Sequence, residues 1–433
     1  MTVRTPTGRG EVFEAGPLTL TAAEEWLHRT CFRPGPAGGV GLEVELHPVL
    51  ADDPATALPG PRVETLAREL TAAVGHGGVT LEPGGQVELS LNPRPGLVEA
   101  LEACAADLTV ARQVARAAGM CLLGAGVSPF GARSRILDLP RYVAMEAYFD
   151  PRWPAGRVMM TSTASVQVNV EASVPGEDPG SAGRWWLLHL VGPALVAAFA
   201  NSPLRDGRST GWKSTRQVVW SSIDSARTAT VAAGREQDPR TAFAGYALAA
   251  PVMMVRRPAG AWQVPSGLSF ADWIAGYGLR RGLGRPTLDD LAYHLTTLFP
   301  PVRPRGFLEV RYLDAQPARW WRVAAAVVWA LAEDRRAGAE AASVAEPVDG
   351  HWGAAARAGP ADPALRRAAA GCLVAARDSL CRAGIAGPAA EVDAFLTRYT
   401  ERGRCPGDDL LDGLLGTERT DPAQALSTLE VLP

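Results

Sequence analysis

The sequence predicts an α+β protein built around one main sheet. Three observations lead there. β-rich segments recur between residues 39 and 312, and long or helical connections join them. Beyond Val323 the chain becomes Ala-, Arg- and Leu-rich and helical. With 433 residues, 47% hydrophobic and 21% charged, the chain can bury a sizeable core and is not globally disordered. Its 43 basic and 46 acidic residues leave a net charge of -3, which argues against a nucleic-acid partner.

Thr21 and Glu24 form a capping-box signature, so a short helix is expected over residues 21–30. Residues 39–48 read as a strand and 63–74 as a helix. Residues 79–92 read as two strand pieces broken at Pro83-Gly84-Gly85. A long helix over 97–118 carries Ala and Leu on one face, and 120–127 reads as a buried strand. A helix over 138–149 precedes a long Thr-, Ser- and Val-rich strand over 158–171. Residues 185–200 read as one buried helix, 250–255 and 307–312 as strands. Residues 287–298 read as a helix with its own capping box, Thr287 and Asp290. The helical region after Val323 breaks near residues 349–363.

Six cysteines, Cys31, Cys104, Cys121, Cys372, Cys381 and Cys405, form no CxxC pair, as expected for free thiols in a reducing cytoplasm. Residues 1–16 are polar and lack a signal-peptide core. The longest apolar stretch, 185–200, contains His189, Gly192 and Pro193 and is too short to span a membrane comfortably. A soluble, cytoplasmic protein without a membrane partner is expected. Lys213 is the only lysine, so it is the only candidate for lysine chemistry.

The chemistry is written in four strand candidates. Glu43 and Glu45 alternate with apolar neighbours in Gly41-Leu42-Glu43-Val44-Glu45-Leu46. Gln86, Glu88 and Ser90 alternate with Val87 and Leu89. Gln167 and Asn169 alternate with valines, and Glu309 and Arg311 with Leu308 and Val310. Strand side chains change face at every residue, so each polar set points one way and the apolar set packs on helices. Any one such strand can be a solvated sheet face. Four together, with amides suited to directed hydrogen bonds, point to a site. Clustered carboxylates repel unless cations neutralise them, and oxygen ligands without a His/Cys cluster suit a hard cation, Mg²⁺ or Mn²⁺.

The common nucleotide and hydrolase motifs are missing. Gly211-Trp212-Lys213-Ser214-Thr215 fails the P-loop spacing, and neither G-x-S-x-G nor H-E-x-x-H occurs. His47, His189 and His294 stand alone and read as structural.

Several strings resemble the glutamate–cysteine ligases of the plant and proteobacterial type, and within them the actinobacterial form that feeds ergothioneine synthesis. They are Gly41-Leu-Glu-Val-Glu45, Leu81-Glu-Pro-Gly-Gly-Gln-Val-Glu-Leu-Ser90, Val166-Gln-Val-Asn169 and Phe199-Ala-Asn-Ser-Pro203. They continue through Arg216, Trp220, Asp224 and Arg227, then Tyr246-Ala-Leu248 with Pro251. His294-Leu-Thr-Thr-Leu-Phe-Pro300 and Leu308-Glu-Val-Arg311 with Asp314 complete the set.

The resemblance implies a glutamine-synthetase-like fold, a curved antiparallel sheet forming a funnel surrounded by helices. It implies a ligase domain over 1–332, with residues 333–433 as a C-terminal helical extension packed on it. It implies ATP-dependent joining of the glutamate γ-carboxylate to the amine of cysteine, with Mg²⁺ or Mn²⁺ and small-molecule partners glutamate, cysteine and ATP. Glu43, Glu45, Glu82, Glu88 and Glu309 become the metal-ligand pool. Gln167 and Asn169 become nucleotide contacts, and Arg311 with Glu309 the catalytic pair. Arg216 and Arg227 would hold substrate carboxylates, with surface ion pairs as the plain alternative. Trp220 would wall the pocket, and Tyr246 and Met160 would flank the cysteine side chain or pack in the core.

One departure stands out. Plant-like enzymes carry an arginine in the segment leading to Gln167, where this chain has Ser162 in Met159-Met160-Thr161-Ser162-Thr163. Three alternatives stay open: a carboxylate–amine ligase for a different amine, a phosphotransferase to a guanidino or amino group on the same sheet, and a non-enzymatic binding module. The sequence assigns no oligomeric state.

Overall fold

The computed structural model describes residues 17–131, 133–152, 154–173, 183–231, 237–264, 266–317 and 319–415. Nine strands occur among them. They are β1 (Val40–Leu50), β2 (Gly77–Leu81), β3 (Val87–Leu91), β4 (Met120–Leu123) and β5 (Ser165–Glu171), then β6 (Leu204–Arg205), β7 (Arg208–Ser209), β8 (Val302–Pro304) and β9 (Phe307–Asp314). Seven form one antiparallel sheet in the order β2-β3-β1-β5-β9-β8, with β4 paired to the far end of β1. β6 and β7 form a separate hairpin. A bulge between Val166 and Val168 shifts β5 against β9 and bends the sheet there. The expected α+β class with an antiparallel sheet is the observed one.

The alternation read from the sequence sorts the two faces. Leu42, Val44, Leu46, Val87, Leu89, Val166, Val168, Val170, Leu308 and Val310 are buried in one core. The helices Leu97–Ala117 and Trp320–Glu333 pack on these strands, and the helix Pro363–Arg382 packs on the second of them. Each such Leu or Val contributes about 1.5–3 kcal/mol when fully buried. The other face carries the polar set.

The turn between β2 and β3 shows why its glycines are needed. A Cβ on Gly84 would lie 2.2 Å from the Thr161 carbonyl oxygen, and Gly85 has φ +90°. Gln86 closes the turn. Its side-chain oxygen accepts from Gly84 N at 3.1 Å, and its Nε2 donates to the Thr163 carbonyl at 2.8 Å. The acidic hairpin is thereby fastened to the segment before β5.

Five elements differ from expectation. Residues 155–162 form a helix, not the first half of a strand, so Ser162 ends a helix. The Thr161 hydroxyl donates to the Arg157 carbonyl at 2.8 Å and the Thr163 hydroxyl to Met159 at 2.7 Å. Hydroxyls that suggested a strand here bond back along the helix. Residues 250–255 make only isolated bridges, Pro251 to Ser269 and Met254 to Gln263, because Pro251 has no N–H to give a ladder. The stretch 185–200 is two helices, Gly183–Leu190 and Gly192–Ala198, with Pro193 in the first turn of the second. The first helix, Leu20–Cys31, is capped by Thr19, whose hydroxyl accepts from Ala22 N at 3.2 Å, one turn-edge earlier than the Thr21 box. The buried strand expected over 120–127 is shorter, at Met120–Leu123. The helix Leu288–Leu295 does carry the Thr287–Asp290 capping box. Among the described residues no helix is long and apolar enough to cross a membrane.

Candidate active site

Register across the polar face brings the acidic residues together. Glu43 on β1 lies opposite Ser90 on β3 and Gln167 on β5, and Glu45 lies opposite Glu88. Asn169 lies between Gly41 and Glu309, and Glu309 faces Arg303 on β8. Residues far apart in the chain therefore share one surface.

Each carboxylate has a different environment. Glu45 accepts from Ser165 N at 2.8 Å, Ser165 Oγ at 3.0 Å and Gln167 Nε2 at 2.8 Å. Glu88 Oε1 accepts from Thr80 at 3.0 Å and Ser90 at 2.7 Å. Glu43 accepts from Asn169 Nδ2 at 3.0 Å. Burial pushes the Glu43 carboxyl up to about 7, with the negative charges of Glu309 and Glu88 adding to it. Burial, then Glu88 and Glu45, pushes Glu82 up to about 8. Burial also raises Glu45 and Glu88. This is a concentration of negative charge with too few positive partners.

Glu309 is the opposite case. It is 0% exposed and accepts from three arginines. Arg303 Nε reaches Oε2 at 2.6 Å and Arg303 NH2 reaches Oε1 at 3.1 Å. Arg305 donates to Oε1 at 2.9 Å and Arg311 to Oε2 at 2.9 Å. Burial alone would raise this carboxyl, but Arg303, Arg311 and Arg305 hold it well below the usual range. Three guanidiniums on one carboxylate leave positive charge over. Burial, with repulsion from Arg311 and Arg305, brings Arg303 down to about 10 even beside Glu309.

A small open recess continues from this arginine wall. Arg216, Trp220, Phe299, Pro300 and Arg311 line it among others. Arg216 is 4% exposed. It donates to the Arg311 carbonyl at 2.8 Å and lies 5.7 Å from the Trp220 ring. Among the described residues, its Nε and the Trp220 Nε1 are buried donors without a hydrogen-bond acceptor. Buried donors left open in this way fit an anion that arrives from outside the chain.

The expected site residues fall into distinct positions. Gln167 is 3% exposed and spends both ends inside the protein, donating to Glu45 and accepting from Arg311 NH1 at 2.7 Å. Asn169 keeps its Oδ1 as a buried acceptor with no donor among the described residues. Arg227 is 0% exposed. It pairs with Asp224 at 3.2 Å, donates to Thr297 and to the Pro251 carbonyl, and stacks on Tyr148. It ties loops together and offers little to a ligand. The Tyr246 hydroxyl donates to the Arg227 carbonyl at 2.5 Å, so it belongs to the same knot. Met160 is buried in a cluster with Met145, Met159, Met253 and Met254, against which Tyr142, Trp220 and Phe299 pack.

Among the described residues, no three His, Cys, Asp or Glu side chains already close around a metal position. The five glutamates lie near one another but not as a finished cage, and Glu43, Glu45, Glu88 and Glu309 each accept from protein donors. Arg303 and Arg305 were not read from the sequence, where Val302-Arg-Pro-Arg305 has no motif. Their proximity to Glu309 appears only once β8 folds back on β9. Cys31, Cys104 and Cys372 are buried, and burial pushes their thiols up to about 12, so none is an activated nucleophile.

Residues 39–428 match the sequence family described as Glutamate-cysteine ligase family 2 (GCS2). The chain is 40% identical over 401 residues to the glutamate–cysteine ligase EgtA of Mycobacterium tuberculosis, spanning 91% of this chain and 90% of that one. It is 33% identical over 259 residues to the chloroplastic glutamate–cysteine ligase of Medicago truncatula, spanning 58% of this chain and 49% of that one. Among solved structures, a glutamate–cysteine ligase of Francisella tularensis in complex with AMP has the same fold. It superposes with a TM-score of 0.50 at 11% identity over 92% of each chain.

Proposed function

We propose that this chain, which belongs to glutamate–cysteine ligase family 2, joins the γ-carboxylate of glutamate to the amine of cysteine. ATP becomes ADP and phosphate, and the product is γ-glutamylcysteine for ergothioneine assembly. The observation that carries the reading is the division of one sheet face. Under-neutralised carboxylates of Glu43, Glu82 and Glu88 lie on one side, and the surplus guanidiniums of Arg303, Arg305 and Arg311 on the other. A cation and a polyphosphate would complete both halves at once.

The residues fit a hard divalent cation. Asn169 Oδ1 is a buried oxygen acceptor without a donor, beside Glu43. Glu43, Glu82 and Glu88 with that oxygen would hold Mg²⁺ or Mn²⁺. Glu309 joins them only by releasing Arg305, the most exposed of its three partners, to a phosphate. Such an ion lowers the repulsion between phosphate oxygens and an approaching carboxylate.

A carboxylate is a poor acyl donor, because its oxygen leaves badly. Transfer of the terminal phosphoryl group corrects this. The glutamate γ-oxygen forms a bond to phosphorus while the bond to ADP breaks, giving an acyl phosphate. The amine of cysteine then adds to the acyl carbon, loses a proton, and expels phosphate. Arg311, fixed by Gln167 and Glu309, stabilises the charge that develops on the transferring group. Arg216 and Trp220 hold a substrate carboxylate with their open donors. The Met160 and Phe299 wall keeps water from the acyl phosphate.

Heavy-oxygen label in the glutamate γ-carboxylate tests the route. One labelled oxygen is expected in the released phosphate, beside ADP and γ-glutamylcysteine. Label in AMP, or phosphate without label, rejects the acyl phosphate. An assay in which another amine replaces cysteine at equal or higher kcat/KM rejects the amine assignment.

A further inference from the structure

We propose that Lys213 and Asp408 form a positioning pair that sets Arg216 in its recess, so that the C-terminal helices take part in substrate recognition. The proposal rests on the reading above that the Arg216 recess takes a substrate carboxylate. The chain's only lysine pairs through its Nζ with Asp408 Oδ1, in the first turn of the last described helix, Pro406–Leu415. The pair is poorly exposed, with 24% of the lysine and 12% of the aspartate side chain open. Asp408 Oδ2 accepts from Cys405 N at 2.9 Å, which leaves one oxygen for a compact ammonium.

Three further links converge on the same few residues. Lys213 N and Ser214 N both donate to the Ala356 carbonyl at 2.9 Å, from the helix Trp352–Ala358. Gly407 N donates to the Ala200 carbonyl at 2.9 Å. Ser202 N donates to the Lys213 carbonyl at 3.0 Å, and Ser202 Oγ accepts from Arg216 N at 3.1 Å.

Asp314, at the end of β9, fastens this segment to the sheet. It accepts from Asn201 N at 2.9 Å, Ser202 Oγ at 2.7 Å and Ser214 Oγ at 2.9 Å. The backbone of Arg216 is thus held from the sheet on one side and from the C-terminal helices on the other. Among the described residues its guanidinium has one hydrogen-bond acceptor, the Arg311 carbonyl, and an open Nε. Where that Nε points depends on the backbone, and the Lys213–Asp408 pair is the ion pair that ties the segment leading into Arg216 to the last described helix.

Lys213→Met and Asp408→Asn remove the charge from either side at nearly constant size. Each should raise the glutamate KM by about tenfold, since a small misplacement of a binding group costs up to 10²-fold. The ATP KM and kcat should stay within threefold. The double variant should be no worse than the worse single one, because both break the same contact. Arg382→Ala, which cuts the pair with Asp334 elsewhere among the C-terminal helices, should leave every KM unchanged. The rise in melting temperature produced by glutamate alone gives a second readout and should shrink in both charge variants. Asp408→Glu, which keeps the charge and moves it by one methylene, covers the case where the others fail to fold, and should also raise the glutamate KM. Equal rises in all three KM values, or a fall in melting temperature with the glutamate KM unchanged, would overturn the proposal. If wild-type protein itself neither binds nor ligates glutamate, the proposed function fails instead.

Discussion

Arg303 grips Glu309 with two nitrogens, Nε at 2.6 Å and NH2 at 3.1 Å, across adjacent strands that the turn between β8 and β9 joins. The carboxylate is wholly buried, so it offsets part of the charge of the arginine wall without help from water. Glu309→Gln should therefore leave three guanidiniums repelling one another. Breaking a buried pair of this kind typically costs about 3–5 kcal/mol. Urea unfolding of the variant should show that loss, with ligation reduced at least as strongly. A change below about 1 kcal/mol would contradict the anchoring role.

Arg311→Lys should lower kcat by about 10²–10³, the usual cost of removing a donor aimed at developing charge. The arginine serves Gln167 and Glu309 together, and a lysine ammonium lacks the planar fork that does so while facing a phosphoryl group. Steady-state rates at saturating ATP decide the matter. A variant within threefold of wild type would remove Arg311 from the reacting centre.

Glu43→Gln and Glu88→Gln should each weaken Mg²⁺ binding by tenfold or more, the scale on which altered ligands and their supports act. Isothermal titration with Mg²⁺ and ADP reads this directly, and circular dichroism checks that the fold persists. Replacement also removes mutual repulsion, so the empty variants should be at least as stable as wild type. Unchanged Mg²⁺ affinity in both would place the cation elsewhere.

Two buried histidines give a pH dependence of known sign. Burial, with the charge of Arg227, holds His294 down at about 3, and burial holds His189 down at about 4. The unfolded chain takes up these protons near pH 6.5, well before the folded one does. Their contribution to stability is therefore complete above about pH 6.5 and falls as pH drops toward 4 and 3. His294→Gln removes one such site. The stability gap between wild type and this variant should close by about 1.4 kcal/mol for each pH unit below 6.5. A gap that stays constant between pH 7.5 and 5.0 would show that His294 titrates alike in the folded and unfolded chain, and would contradict its depression by burial.

The sheet was legible because period-2 alternation survives in any context that buries one face. Glu43, Glu45, Glu88, Gln167, Asn169, Glu309 and Arg311 all lie on the expected surface. Partner choice was not legible. Nothing local distinguishes Glu309, which three arginines surround, from Glu43, which has one amide donor. The difference lies in the turn that returns β8 to β9. The protein partners of Arg227 were not legible for a related reason. Its neighbours in sequence resemble ligand contacts, while the acceptors that consume it come from residues 251 and 297. Residues 158–162, the start of the expected strand, lie in a helix because threonine and valine favour strands but a buried threonine hydroxyl can bond back along a helix.

β1 pairs with β3, β4 and β5, and its alternate residues serve opposite masters, acid on one side and hydrocarbon on the other. This makes it the part of the chain least able to change length. Adding or deleting one residue before Glu43 would turn both carboxylates into the oily interior and send Leu42, Val44 and Leu46 into the groove. No nearby substitution could restore the pattern, since three partners would have to slip together. The spacing within this strand is therefore a unit that evolution must copy whole or lose.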